Sequence, residues 1–210
     1  MAQTDRSEIE FLYDVGGPNS WFTHRAIPAI EAAGNVTFRY VPVLLGGLFK
    51  ATGNQPPMMA YGHVAAKVAY DRLEIERFMA RHAITGFRMN PHFPVNTLLA
   101  MRGAVAAERL GCAPAYREAM FAGLWEQGLK LDDPAVWAET VTAAGLDAAA
   151  LGALAQDEAV KAELAENSAQ AVSRGAFGVP TFFFGNEMWF GKDRLRDVVE
   201  AAQTQPVRSP

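Results

Sequence analysis

A single cysteine, Cys112, stands among 210 residues. That excludes an internal disulfide and every Cys-x-x-Cys site, redox or zinc. Basic residues are in deficit, 19 Lys and Arg against 23 Asp and Glu, for a net charge of −4. A nucleic-acid binder is expected to cluster Lys and Arg, so that partner class is set aside. No apolar run approaches the ~20 residues that span a bilayer. Residues 1–10 are polar and lack the apolar stretch of a signal peptide. The expectation is a soluble cytoplasmic protein without a membrane partner. His63, His82 and His92 share no metal spacing with a carboxylate pair, so no metal site is expected. Repeats and low-complexity blocks are missing too, apart from an alanine-rich stretch over 135–171 that suits helix.

What is present is ordinary globular composition, 50% hydrophobic and 20% charged. The length fits one large domain, or a core with an insertion. Residues 9–15 are a short β-prone run bounded by Gly16-Gly17-Pro18. Residues 20–33 read as a helix on Trp21, Ala26, Ile27 and Ile30, stopped by Gly34-Asn35 and expected to kink at Pro28. Residues 36–43 alternate as a second strand, parallel to the first across that crossover. Gly46-Gly47 and residues 52–57 read as loops. Helices are then expected over 64–82, 98–110, 114–128, 134–145, 147–154 and 158–174. The first carries Val68, Leu73, Ile75 and Phe78 as its apolar set, and Asn96-Thr97 caps the second. Residues 85–94 are irregular. Two strands, 180–184 and 187–190, flank Gly185-Asn186, a two-residue hairpin turn. A helix over 192–202 and a tail over 205–210 finish the chain.

The order β-α-β, helices, β-β-α becomes the thioredoxin arrangement once the helical block is removed. The fold class is therefore α/β. Residues 8–45 and 176–203 form a discontinuous core, and 46–175 form an all-helical insertion packed on it as a lid. In such a core the loop after the first strand and the loop carrying Val179-Pro180 lie side by side. The first loop opens a helix, whose free N–H groups and partial positive charge favour a thiolate or other anion. Redox members place Cys-Pro-x-Cys there. This chain has Gly17-Pro18-Asn19-Ser20, which excludes disulfide exchange by that loop. Locally, Val179-Pro180 reads as an ordinary trans strand start, but against the first loop the expectation becomes a cis bond. The Val179 N–H and C=O would then face a peptide-like ligand.

Several stretches resemble the 2-hydroxychromene-2-carboxylate isomerases and the related kappa-class glutathione transferases, within the DsbA-like group. They are Tyr13-Asp14-Val15 with Pro18-Asn19-Ser20-Trp21; Gly53-Asn54; Lys67 to Tyr70 with Glu74, Arg77 and Phe78; Phe93 to Thr97; Phe177 to Phe182; and Gly185 to Leu195. They run through nearly the whole chain, and the last is the most specific. The resemblance implies a homodimer that binds reduced glutathione between core and insertion and acts on a small aromatic substrate in aromatic catabolism. It implies Val179 and Pro180 against the cysteinyl part, Lys192 and Asp193 at the γ-glutamyl end, and Asn54 and Lys67 as further polar contacts. Phe93, Pro94 and Trp189 would line the substrate side. The thiolate would add reversibly to a conjugated carbon, let the bond rotate, and leave.

One departure matters. Where the family has a serine before the first-loop proline, this chain has Gly17. A hydroxyl donor to a charged acceptor is worth roughly 2–3 kcal/mol. Its loss leaves the helix dipole, the N–H groups of Asn19 and Ser20, and the side chains of Asn19 and Ser20 to support sulfur. The catalytic loop is thus Gly17 to Ser20. A kappa-like transferase, or a glutathione binder with weak catalysis, stand as alternatives to the isomerase. Ser20 also reads as a helix-start cap, Asp193 as a charge in a first helical turn, His24 as a partly exposed bystander, and Cys112 as a buried inert thiol.

Overall fold

Proline is the first helical residue of the crossover, two positions earlier than the apolar pattern suggests. In the computed structural model, which describes residues 6–204, helix α1 spans Pro18–Ala33 and Gly17 is its N-cap. Pro18 has no N–H to leave unpaired and its φ suits a helix, so it fits the N1 position. Pro28 lies inside α1, which runs on to Ala33. Strand β1 (Ser7–Tyr13) precedes α1 and β2 (Val36–Pro42) follows it. The two strands pair in parallel, as the crossover requires. Strands β3 (Thr181–Phe184) and β4 (Glu187–Phe190) form a hairpin about Gly185-Asn186, and β3 pairs antiparallel with β1. The sheet order is β2-β1-β3-β4. A 3₁₀ turn, Lys192–Arg194, comes between β4 and the last helix, so 192–202 is not one α-helix throughout. The expected tail lies outside the described residues.

Between β2 and β3 the chain is helical: α2 (Leu45–Thr52), α3 (Pro57–Tyr61), α4 (Ala65–Arg81), α5 (Leu98–Arg109), α6 (Ala113–Trp125), α7 (Pro134–Ala143), α8 (Ala148–Ala155) and α9 (Glu158–Ser173), with α10 (Leu195–Thr204) after the sheet. Asp133, Asp147 and Asp157 cap α7, α8 and α9 by accepting backbone N–H groups. Helix α2 corrects the reading of Gly46-Gly47 as a loop, and the loop read over 52–57 is found at 53–56, between α2 and α3. A helical glycine costs about 1 kcal/mol against alanine. Leu48, buried beneath α2, offsets that by packing with Leu12, Val43, Ala171, Ala176, Val179 and Phe183 on one face of the sheet. Gly53, at φ 67°, ends α2 in a left-handed conformation. α6 stops at Trp125, short of the expected 128, and Gly128 turns the chain at φ 70°.

The opposite sheet face builds the larger core. Ile9, Phe11, Tyr13 and Phe182 point into it, while their neighbours Leu12 and Phe183 point to the other side, as the two-residue period of a strand demands. The same cluster takes Trp21, Phe22 and Ile27 from α1 and continues without a break into Ala104, Val105, Phe121 and Trp125 of α5 and α6. The helical block is therefore fused to the sheet through shared apolar contacts. α4 is different: Phe78 is buried, but Leu73, from the same apolar set, is 40% exposed.

Polar contacts fasten α1 to α6. Trp21 Nε1 donates to Glu126 at 3.1 Å, Arg25 pairs with Glu126 and Glu118, and His24 sits between Tyr40 (2.8 Å) and Glu118 (3.1 Å). Burial lowers the His24 pKa, and hydrogen bonds from His24 and Arg25 hold Glu118 down from 4.5 to about 2. The signs agree. Glu118 contributes stability that is whole above pH 4.5 and is lost as pH falls towards about 2. His24 is favoured neutral, so protonation also weakens the fold. Glu118→Gln should flatten the acid limb between those two values, measured as urea midpoint against pH; an unchanged slope would show the network to be idle.

Candidate functional site

The loop from Asp14 to Ser20 is short and tightly tied. Gly17 N–H donates to the Asp14 carbonyl at 3.0 Å, and the N–H groups of Ser20 and Trp21 both turn back to the Gly17 carbonyl at 2.9 and 3.2 Å. That corrects the expectation for the helix start. Pro18 has no N–H and the Ser20 N–H is taken, so among the described residues the Asn19 N–H alone of the first turn has no acceptor. Ser20 does not act as a cap: the N-cap is Gly17 and no side-chain cap bond is made. The Ser20 hydroxyl is instead fully buried, without a hydrogen-bond partner.

The second loop meets the first here. The Val179-Pro180 bond is cis, as the juxtaposition implied. Thr181 Oγ1 donates to the Gly178 carbonyl at 2.7 Å and Gly191 N–H to the Pro180 carbonyl at 2.8 Å. Neither the N–H nor the C=O of Val179 takes part in a loop or side-chain bond among the described residues. The two loops are in contact at one point. A Cβ built on Gly17 would stand 3.1 Å from Val179 Cγ2, 3.2 Å from Ser20 Oγ and 3.4 Å from the Asp14 carbonyl oxygen. A side chain at 17 would be crowded there, so glycine is what lets the first loop lie this close to Val179 and the buried Ser20.

The flanks are less uniform. Lys192 is 4% exposed, its ammonium 2.6 Å from Asp193 Oδ1 and over the Phe78 ring at 5.0 Å. A buried lysine with an aspartate half in solvent suits a zwitterionic amino-acid end. Asn54 donates from its amide to the Phe177 carbonyl (2.9 Å) and accepts from Gln55 N–H (2.8 Å), so it braces the proline loop. Lys67 pairs with Asp71 at 3.2 Å on α4, away from both loops in every contact it makes. Phe93, 36% exposed and followed by a second cis bond to Pro94, leans on Trp125, whose indole N–H donates to the Val15 carbonyl at 2.7 Å. Trp189 packs with the main core, whereas its neighbour Phe190, 42% exposed, covers Phe177 and Gly178. Cys112 is half-buried at the start of α6. A cavity of about 350 Å³ lies elsewhere, between α6 and α7.

The residue that places the first loop is Asp14. Its carboxylate is 1% exposed and accepts three hydrogen bonds: Gly16 N–H at 2.9 Å, Leu45 N–H at 2.8 Å, and the Thr97 hydroxyl at 3.0 Å. Burial pushes its pKa up, against the pull of those donors. Thr97 also packs so close to Gly16 that a Cβ there would meet its Cγ2 at 2.7 Å. Asp14 stood within the matching stretches, but nothing in its spacing marks it. Its partners lie 31 and 83 positions away. Asparagine offers one acceptor oxygen and turns an NH₂ towards a donor. Asp14→Asn should therefore cost about 2 kcal/mol of unfolding free energy, and Thr97→Val about 1. Urea denaturation of both variants is the check, and equal, negligible losses would refute the assignment.

Comparison with known proteins follows this geometry. The chain is 27% identical to a 2-hydroxychromene-2-carboxylate isomerase of Pseudomonas sp. (strain C18), over 95% of this chain and 92% of that protein. It is 29% identical to the glutathione S-transferase kappa 1 of Rattus norvegicus, over 89% and 87%. Among solved structures, a 2-hydroxychromene-2-carboxylate isomerase superposes with a TM-score of 0.78 at 25% identity, covering 92% of this chain and 93% of that one. A probable DsbA oxidoreductase of Streptomyces coelicolor shares the fold at a TM-score of 0.72 and 18% identity, over 98% and 94%. The model of the DSBA-like thioredoxin domain matches residues 8–203, and the chain belongs to that family.

Proposed function

We propose that the protein is a glutathione-dependent isomerase of the type that interconverts 2-hydroxychromene-2-carboxylate and trans-o-hydroxybenzylidenepyruvate. The observation that carries the reading is the meeting of the two loops: a free Val179 backbone, a side-chain-free residue 17 and the start of α1 come together at one place. Those residues fit a cysteinyl peptide. A backbone N–H and C=O can pair with its main chain, and the helix start favours its sulfur as an anion. Lys192 and Asp193 would hold the γ-glutamyl carboxylate and ammonium, with Asn54 keeping the proline loop in place. When bound, glutathione supplies the nucleophilic thiolate that an isomerisation of a conjugated double bond uses. Phe93 and the Phe177–Phe190 pair present exposed aromatic surface on either side for an aromatic substrate. Lys67, tied to Asp71, would reach a ligand carboxylate only by leaving that pair. A cytoplasmic location and a homodimer belong to the same reading.

The kappa transferase is 29% identical over 89% of this chain and the isomerase 27% over 95%, which keeps conjugation of electrophiles as a second reading. The experiment is spectrophotometric turnover of the chromene substrate with and without reduced glutathione, beside a panel of electrophiles. The isomerase reading expects substrate interconversion that depends on glutathione and no conjugate. Turnover indifferent to glutathione would remove the cofactor, and conjugates without isomerisation would replace isomerase by transferase.

A further inference from the structure

We infer that Ser20, standing in for the hydroxyl that residue 17 lacks, is the side-chain donor to a thiolate held at the start of α1. The inference rests on the glutathione reading above and assigns the group that lowers the thiol's pKa in this particular chain.

The first ground is the state of the hydroxyl itself. Ser20 is fully buried and its Oγ has no partner among the described residues. Two ordinary uses of a serine early in a helix are open to it and neither is taken. It does not cap α1, and it does not donate to the carbonyl four residues back, as Thr23 does to Asn19 at 3.0 Å. A buried hydroxyl left unpaired costs about 1–3 kcal/mol. An acceptor atom brought by a ligand would recover that, and a thiolate more fully than a neutral group.

The second ground is position. Ser20 Oγ is 3.2 Å from the place a Cβ on residue 17 would occupy, and Val179 Cγ2 is 3.1 Å from the same point on the other side. A side chain at 17 would stand between the proline loop and Ser20. Glycine leaves no side chain of residue 17 between them, and the Ser20 hydroxyl, itself buried, is the polar side-chain atom nearest that point. The Asn19 N–H, free of a backbone acceptor, and the start of α1 complete an environment that favours negative charge. The thiol's proton passes to solvent. The sulfur then accepts the Ser20 hydroxyl hydrogen and the Asn19 N–H, with no covalent bond of the chain made or broken.

The test compares wild type, Ser20→Ala and the double variant Gly17→Ser/Ser20→Ala in the full-length protein. The thiol of bound reduced glutathione is titrated by thiolate ultraviolet absorbance, and binding of S-methylglutathione, which has no thiol, is measured alongside. Ser20→Ala should raise the bound thiol's pKa by about one unit, about a tenfold loss of thiolate at fixed pH. It should leave S-methylglutathione affinity within about twofold and the ligand-free Tm no lower, since the hydroxyl has no partner to lose. The double variant should bring the pKa back down. It supplies a new hydroxyl, and the alanine removes one of the two close contacts that a Cβ at 17 would meet. An unchanged thiol pKa in Ser20→Ala with glutathione still bound overturns the inference. So does a fall in Tm with equal loss of both ligands, which would assign Ser20 a structural role. Failure of wild type to bind either compound overturns the glutathione reading itself, and this inference with it.

Discussion

A carboxylate with almost no access to water holds the site together. Asp14 ends the first strand's run into the loop, and its two oxygens gather donors from three separate stretches: Gly16 beside the helix start, Leu45 at the start of α2, and Thr97 at the N-cap of α5. Removing a charge from water is expensive unless hydrogen bonds replace the hydration. Here three hydrogen bonds offset part of that cost, burial still leaving the pKa raised, and each bond also fixes a segment of chain. The loop that presents Gly17 is thus pinned to the helical block as well as to the sheet.

Around that pin the structure divides its tasks. The apolar core runs unbroken from the sheet through α1 into α5 and α6, which makes the crossover helix a rigid support for its own N-terminus. The second sheet face, closed by α2 and α9, holds Val179 in its cluster and leaves that residue's backbone groups unused by the fold. α4, attached by Phe78 and by the ammonium of Lys192 over its ring, carries far less buried surface. Segments with few buried apolar contacts open at lower free energy than the core. The part of the helical block nearest Lys192 is therefore one whose position depends little on the core.

Legibility in the sequence followed the range of the interactions. The strands, the parallel crossover and the hairpin at Gly185-Asn186 were readable because each is set by neighbours within a few residues. The helix at Gly46-Gly47 was not, because glycine's local preference is overcome by Leu48 entering a pocket made by residues as distant as Val179 and Phe183. Gly103 shows the same limit. The Tyr116 hydroxyl occupies the space a Cβ on this α5 glycine would need, so glycine there is a packing requirement. Trp189 and Phe190 could not be told apart until the register of β4 directed Trp189 to the core and Phe190 over the proline loop.

By itself the sequence determined that no disulfide chemistry can occur at Gly17 to Ser20, that the elements follow the thioredoxin order with helices between its halves, and that residue 17 lacks a hydroxyl. Those are matters of residue identity and short-range periodicity, which a chain carries whether folded or not. The tertiary structure decided which groups are left over. It used the Ser20 N–H in a backbone bond and left the Ser20 hydroxyl without a partner, turned Asn54 to bracing a loop, and bound Lys67 to Asp71. A donor is free only when every possible partner has been accounted for, and most of those partners are brought near by the packing of distant segments.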